Sequence, residues 1–182
     1  MNNGGAKKVA FLDRDGTINV DHGYVFEIER WEWCEGAIEG MKILADAGYA
    51  LAVVTNQSAI ADGRYTAADM AKLHDFMKAE LHRHGVTIAA IGFCPHGRDT
   101  KDCPCRKPKA GMAKQVEDVI GEIDYGSSWT IGDKEADVGF GKNAGTKTAL
   151  VKSRYWTLEE LKLEPDVIVD SLLEAAKKIT SI

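Results

Sequence analysis

No apolar run in this chain approaches the ~20 residues that a membrane-crossing helix requires, so a bilayer span is not expected. Residues 1–8 hold no apolar stretch of signal-peptide length. Cysteine is sparse, four in 182 residues, too few for a secreted disulfide scaffold. Positive charge is also in deficit. The formal net charge of -5 argues against a general nucleic-acid binder, which would carry a basic face. There is no internal repeat, low-complexity tract or long linker. What remains is an ordinary folding composition, 45% hydrophobic and 28% charged. One domain over residues 1–182 is expected, cytoplasmic and monomeric, with a flexible start at 1–6.

The apolar patterning alternates between two periods. Residues 8–12 form a short apolar run that ends abruptly in Asp13-Arg14-Asp15-Gly16-Thr17, the mark of a buried strand. A helix is expected over 36–47, with Ile38, Met41, Leu44 and Ala45 on one stripe and Gly48 to stop it. A strand follows at 50–54, running into Thr55-Asn56-Gln57-Ser58. Thr66 with Asp69 reads as a capping box opening a helix to about 84, with Met70, Leu73, Phe76, Met77 and Leu81 inward. Further strands are expected at 88–93, 129–132, 147–151 and 166–169, and helices at 110–120, 133–144 and 171–179. Trp31 and Trp33 alternate like a strand or flap, suited to lining a pocket or to packing on the core. Strand–helix alternation predicts a three-layer α/β/α, doubly wound, mostly parallel sheet. Ligands bind such sheets beyond the carboxyl ends of the strands. Polar clusters begin at four such ends, at Asp13, Thr55, Cys94 and Asp133, and should converge on one edge.

Asp13 and Asp15 are spaced to reach one crevice. Paired carboxylates can divide the work of nucleophile and proton carrier, and with Asp133 and Asp137 they make an oxygen-rich site suited to Mg²⁺. A calcium loop starting at Asp13 would need glycine sixth and glutamate twelfth, where Ile18 and Tyr24 stand. The run Phe11–Thr17 resembles the signature of the haloacid dehalogenase superfamily, and Thr55, Arg106-Lys107-Pro108 and Gly132-Asp133-Lys134-x-x-Asp137 follow in that family's order. The resemblance extends from about residue 7 to about 151. It implies a Rossmann-like sheet and a Mg²⁺-dependent phosphatase, with Asp13 as nucleophile and Asp15 as acid/base. Thr55 and Lys107 would hold the phosphoryl group, and Mg²⁺ would sit on Asp13, the Asp15 carbonyl and Asp133. Lys134 and Asp137 would brace the site, through each other or Asp13.

Cys94, His96, Cys103 and Cys105 supply three thiolates and an imidazole, a closed tetrahedral set for a structural Zn²⁺. This small loop at 94–105 lacks apolar residues beyond its cysteines, and a metal could order it and fix the adjoining Arg106 and Lys107. Cys34 reads as a small core residue. A zinc loop followed by Arg-Lys-Pro resembles a narrower group in the superfamily, the heptose bisphosphate and histidinol phosphate phosphatases, with the first the better match. That group implies a phosphorylated sugar as partner, Arg106 on its remaining polar end, and Asp21-His22-Gly23-Tyr24 as a flap over it. Asn56, Gln57, Ser58 and Lys134 would complete the substrate contacts. The chain departs from the group in a short 96–103 stretch and in Ala59, where glycine is expected. Too few residues separate Asp13 from Thr55 for a cap domain. A zinc-stabilised module that binds phosphorylated ligands without turnover is the alternative from a different class.

Overall fold

The computed structural model describes residues 5–181; for residues 1–4 the flexible start lies outside the described residues. Six strands form one sheet: β1 (Val9–Leu12), β2 (Ala50–Asn56), β3 (Ile88–Cys94), β4 (Trp129–Gly132), β5 (Lys147–Val151) and β6 (Val167–Val169). Five helices alternate with them: α1 (Ala37–Asp46), α2 (Ala67–Arg83), α3 (Gly111–Ile120), α4 (Glu135–Ala144) and α5 (Leu172–Thr180). The strand order is β3-β2-β1-β4-β5-β6, and every pairing is parallel. This is the Rossmann order, in which the chain reverses direction between the first and fourth strands and leaves a crevice there. β1 and β4 are buried at every position, as central strands covered on both faces must be.

Side-chain alternation along the strands sorts the core into two layers. Ala10, Leu12, Leu51 and Val53 face α1, α2 and α5, contributing to a cluster with Met41, Leu44, Met77, Leu81, Leu172 and Ile179. Val9, Phe11, Ala52 and Val54 face the other way, onto Met112, Val116 and Phe140 of α3 and α4. The capping box of α2 is present: Asp69 N donates to Thr66 Oγ1 at 3.1 Å, and Thr66 N to Asp69 Oδ2 at 3.0 Å. Two expectations for α2 change. Phe76 is only half-buried, edge-on to Trp31 at 6.3 Å, because the helix turns that position past the sheet's edge. His74 is buried instead. Trp31 and Trp33 meet edge to face at 5.1 Å and pack against the core, so they take the packing role.

The closest helix contact is between α1 and α5. A Cβ at Gly40 would lie 2.9 Å from the Leu172 carbonyl oxygen and 3.0 Å from Leu173 Cα. Both are backbone atoms that cannot rotate away. Overpacking of this kind costs about 1–3 kcal/mol, against about 1 kcal/mol that alanine returns as the better helix former. Gly40→Ala should therefore lower the urea midpoint with an unchanged slope; a raised midpoint would show that the close approach is not what requires glycine.

Candidate active site

Asp13 and Asp133 follow β1 and β4 directly, so both carboxylates open onto the crevice at the reversal point. The two strand ends are tied together where Asp13 N donates to the Ile131 carbonyl at 2.9 Å. Two glycines let the acids crowd in. Gly16 has φ +95°, and a Cβ there would fall inside the Asp133 carboxylate; a Cβ on Gly132 would fall inside that of Asp137. Lys107 enters from the loop before α3. Its Nζ donates to Asp13 Oδ1 at 2.6 Å, to Val54 O at 2.9 Å, and pairs with Asp137 Oδ1 at 2.5 Å. Asn56 grips the backbone of Lys107, accepting from its N at 3.0 Å and donating to its carbonyl at 3.4 Å. Asp13, Asp15, Thr55, Asn56, Lys107, Lys134 and Asp137 line one pocket of about 60 Å³, room for a few water-sized groups.

Electrostatics follow from this crowding. Asp13, Asp133 and Asp137 each offer an oxygen within 4.8 Å of the others, and two ammonium groups, Lys107 and Lys134, leave one negative charge uncompensated. Burial works to raise Asp13, but Lys107 and Lys134 outweigh it and hold the carboxyl below its usual range. Burial and then the Asp13 charge push Asp133 up to about 8. Burial raises Asp137 as well, against the pull of Lys107. A divalent cation would reverse the rise at Asp133.

Lys134 shifts the expected bracing pattern. Its Nζ lies 3.2 Å from Asp133 Oδ1, 3.4 Å from the Asp15 carbonyl and 3.4 Å from Asp21 Oδ2. The side chains of Lys134 and Asp137 do not pair with each other; Asp137 instead caps α4, accepting from Lys134 N at 3.0 Å, and neutralises Lys107. The ammonium therefore touches two of the three groups expected to hold Mg²⁺, evidence that these oxygens form a cation site. With Asp13 beside them, the donor set fits a hard ion.

The surroundings of Asp15 escaped the sequence. Arg14 is fully buried and its Nη2 lies 2.9 Å from both Asp15 oxygens, with a further 2.7 Å bond to the Val25 carbonyl. Asn19 Nδ2 and Gln57 Nε2 also donate to Asp15, each at 3.0 Å. Gln57 Nε2 bonds Thr55 Oγ1 at 2.7 Å, and Tyr65 donates to Gln57 Oε1. Behind Arg14 stands His74, 3.2 Å from Nη1. Burial, then the Arg14 charge, drives its pKa down to about 3, so it stays neutral and accepts. Arg14 lies inside a recognisable motif, but only the fold reveals that it turns inward.

Other expected substrate residues are dispersed around the pocket. Asp21 reaches it through Lys134. His22 pairs with Glu32 at 2.6 Å on the surface. Gly23 N donates to Asp21 Oδ1 at 3.0 Å, and Tyr24, at φ +50°, stacks under Arg64 at 4.5 Å. Ser58 begins a single 3₁₀ turn, Ser58–Ile60. Ala59 in that turn is buried with Tyr65 and Met70 and is not among the positive-φ residues, so alanine is accommodated. Arg106 does not line the pocket: its Nη1 turns to the His96 carbonyl at 3.4 Å.

The Cys/His loop converges as its spacing implied. Cys103 Sγ lies 3.1 Å from His96 Nδ1, 3.3 Å from Cys94 Sγ and 3.5 Å from Cys105 Sγ, and Cys105 Sγ is 3.3 Å from His96 Nδ1. No two sulfurs are near the ~2.05 Å of a disulfide. Burial opposes ionisation of Cys103, but the Arg106 N–H, 3.3 Å from its sulfur, helps bring it down to about 6. Burial raises Cys94 and Cys105. Thiols this close cannot all ionise without a cation, and a soft divalent metal suits the set. The three cysteines also join the core layer beneath α3, a burial that the polar composition of the loop did not suggest.

Comparison with known proteins agrees with this geometry. The HAD-hydrolase-like family profile matches residues 104–175. The D-glycero-beta-D-manno-heptose-1,7-bisphosphate 7-phosphatase of Pasteurella multocida is 40% identical, over 97% of this chain and 98% of its own. The Escherichia coli K12 protein of that name is 40% identical, over 93% and 92%. Among solved structures, D,D-heptose 1,7-bisphosphate phosphatase from B. bronchiseptica, complexed with magnesium and phosphate, superposes with TM-score 0.86 at 30% identity, covering 96% of this chain and 98% of that one. The chain belongs to the haloacid dehalogenase-like hydrolases, in the family of these heptose bisphosphate phosphatases.

The pKa of Asp133 makes stability depend on pH. An aspartate whose folded value, about 8, exceeds the ordinary 3.8 binds its proton more tightly when folded. Its contribution is full below about 4 and is lost as pH rises toward about 8. In chelator, the melting temperature of the wild type should fall across that window, Asp133→Asn should flatten the fall, and Mg²⁺ should restore the wild type only. Identical profiles for both proteins in chelator would refute the assignment.

Proposed function

We propose that the protein removes a phosphate from a small phosphorylated sugar by way of an aspartyl phosphate on Asp13, and that its substrate is D-glycero-D-manno-heptose 1,7-bisphosphate, cleaved at the 7-phosphate. The observation that carries this reading is a buried carboxylate held against a lysine, with a second carboxylate two residues on opening into the same small pocket. The two curated relatives carry the substrate in their names. Such an enzyme would act in the cytoplasm, as a monomer, supplying heptose precursors for lipopolysaccharide.

Lys107 orients Asp13 and keeps it anionic, which a nucleophile must be. Asp13 attacks phosphorus in line, the bond to the leaving oxygen breaks, and Asp15 gives that oxygen a proton. Water then attacks the acyl phosphate, Asp15 takes its proton back, and phosphate leaves with Asp13 restored. The Arg14, Asn19 and Gln57 contacts fix the Asp15 carboxyl where it can face both steps. Thr55 and neighbouring N–H groups donate to the phosphoryl oxygens. Asp13, the Asp15 carbonyl and Asp133 would hold Mg²⁺, which supplies charge to offset repulsion between carboxylate and phosphate. Cys94, His96, Cys103 and Cys105 would hold a structural Zn²⁺ that keeps the loop leading to Lys107 in one shape.

With Mg²⁺, phosphate should be released faster from the heptose bisphosphate than from histidinol phosphate at equal concentration. Asp13→Asn should reduce that release by about 10³ or more, and Asp15→Asn by about 10²–10⁴. An active Asp13→Asn enzyme, or a preference for histidinol phosphate, defeats the corresponding part of the reading. Cys105→Ser should lose bound zinc by metal analysis and unfold at lower denaturant concentration. Retained zinc at full occupancy in that variant would remove Cys105 from the ligand set.

A further inference from the structure

Residues 152–166, between β5 and β6, run for fifteen residues without helix or strand. Connections this long in a compact domain are commonly lids or binding loops. Its first half is held at two places near the site, while Lys162 and Leu163 bond Glu135 and Asp166 bonds Thr148 farther along. Ser153 Oγ and Trp156 Nε1 both donate to the Asp133 carbonyl, at 2.7 and 3.0 Å, tying it to the end of β4. The Tyr155 hydroxyl donates to Asp21 Oδ2 at 2.7 Å, and Arg154 Nη2 to the Asp21 carbonyl at 3.3 Å, tying it to the 21–24 flap. The Tyr155 ring also carries the Lys134 ammonium 4.5 Å from its centroid. Lys134 lines the catalytic pocket, yet Tyr155 is 46% exposed. Its hydroxyl thus links the 152–166 segment to Asp21, beside an ammonium that lines the pocket.

We propose that Tyr155 is a positioning residue that latches the 21–24 flap beside Lys134, and so sets the selectivity of the site for phosphate esters whose polyol chain reaches the flap. Of the two side-chain partners of Asp21, the Tyr155 hydroxyl is the nearer; Lys134 lies at 3.4 Å. Without the hydroxyl, an entering polyol must bear the ordering entropy of the flap itself. An ester that binds chiefly through its phosphoryl group does not touch the flap and is spared. The assay rests on the phosphatase reading; the latch does not require that heptose be the sugar.

Tyr155→Phe keeps the ring and removes only the hydroxyl. Its kcat/KM for the heptose bisphosphate should fall about tenfold, chiefly through KM, while that for 4-nitrophenyl phosphate changes less than about twofold. The second substrate also reports that the variant is folded. An unchanged ratio in Tyr155→Phe, or an equal fall for both substrates, would overturn the latch. Should the wild type spare the heptose ester and cleave another sugar phosphate, the heptose assignment fails alone, and the ratio is read on that other ester.

Discussion

The structure turns on one buried ammonium, Lys107, held between the carboxylates of Asp13 and Asp137. A lysine taken out of water without partners would deprotonate or move to the surface. Here burial lowers its pKa, but the two flanking aspartates raise it by more, so it stays charged. The aspartates in turn tolerate burial because the lysine lies between them. Removing the lysine would leave two facing carboxylates uncompensated in low dielectric, so the three form a single unit. Gly16 and Gly132 leave the volume that this unit occupies, and Asn56 fixes the backbone that delivers the lysine.

The Cys/His loop gains its sense from that requirement. Lys107 comes from an irregular segment, which has no helix or ladder to define its path. Two residues earlier, Cys105 sits in a cluster of sulfur and nitrogen atoms wide enough for a metal and continuous with the hydrophobic layer under α3. Fixing the loop on one side and clamping it with Asn56 on the other leaves the lysine little freedom. Preorganisation of this kind avoids reorganisation when charge develops on a transferring phosphoryl group.

On the proposed reading, discrimination among substrates falls to different elements. Among the described residues no domain covers the crevice; the pocket floor would handle the phosphoryl group, and the 20–33 and 152–166 segments meet through Asp21 and Tyr155. The same physical division appears at Asp15, whose carboxylate is surrounded by Arg14, Asn19 and Gln57, with neutral His74 behind. Lys134 touches both sets, through Asp133 and the Asp15 carbonyl on one side and Asp21 on the other.

The sequence alone determined the order of elements, the parallel sheet and the four polar strand ends that converge, because strand ends, helix caps and apolar periods are local properties. Asp13, Asp15, Thr55, Lys107 and Asp133 were legible because short motifs place them directly after strands or beside a proline. The cysteine and histidine set was legible from spacing alone. Only the tertiary structure decided which charge pairs with which. Lys134 turned to Asp133 and Asp21 instead of Asp137, Arg106 folded back on the Cys/His loop, Arg14 went inward to Asp15 with His74 behind it, and Tyr155 reached Asp21, 134 residues away. Such pairings depend on distances between elements remote in the chain, and on which charges can share a buried volume. No local pattern encodes either.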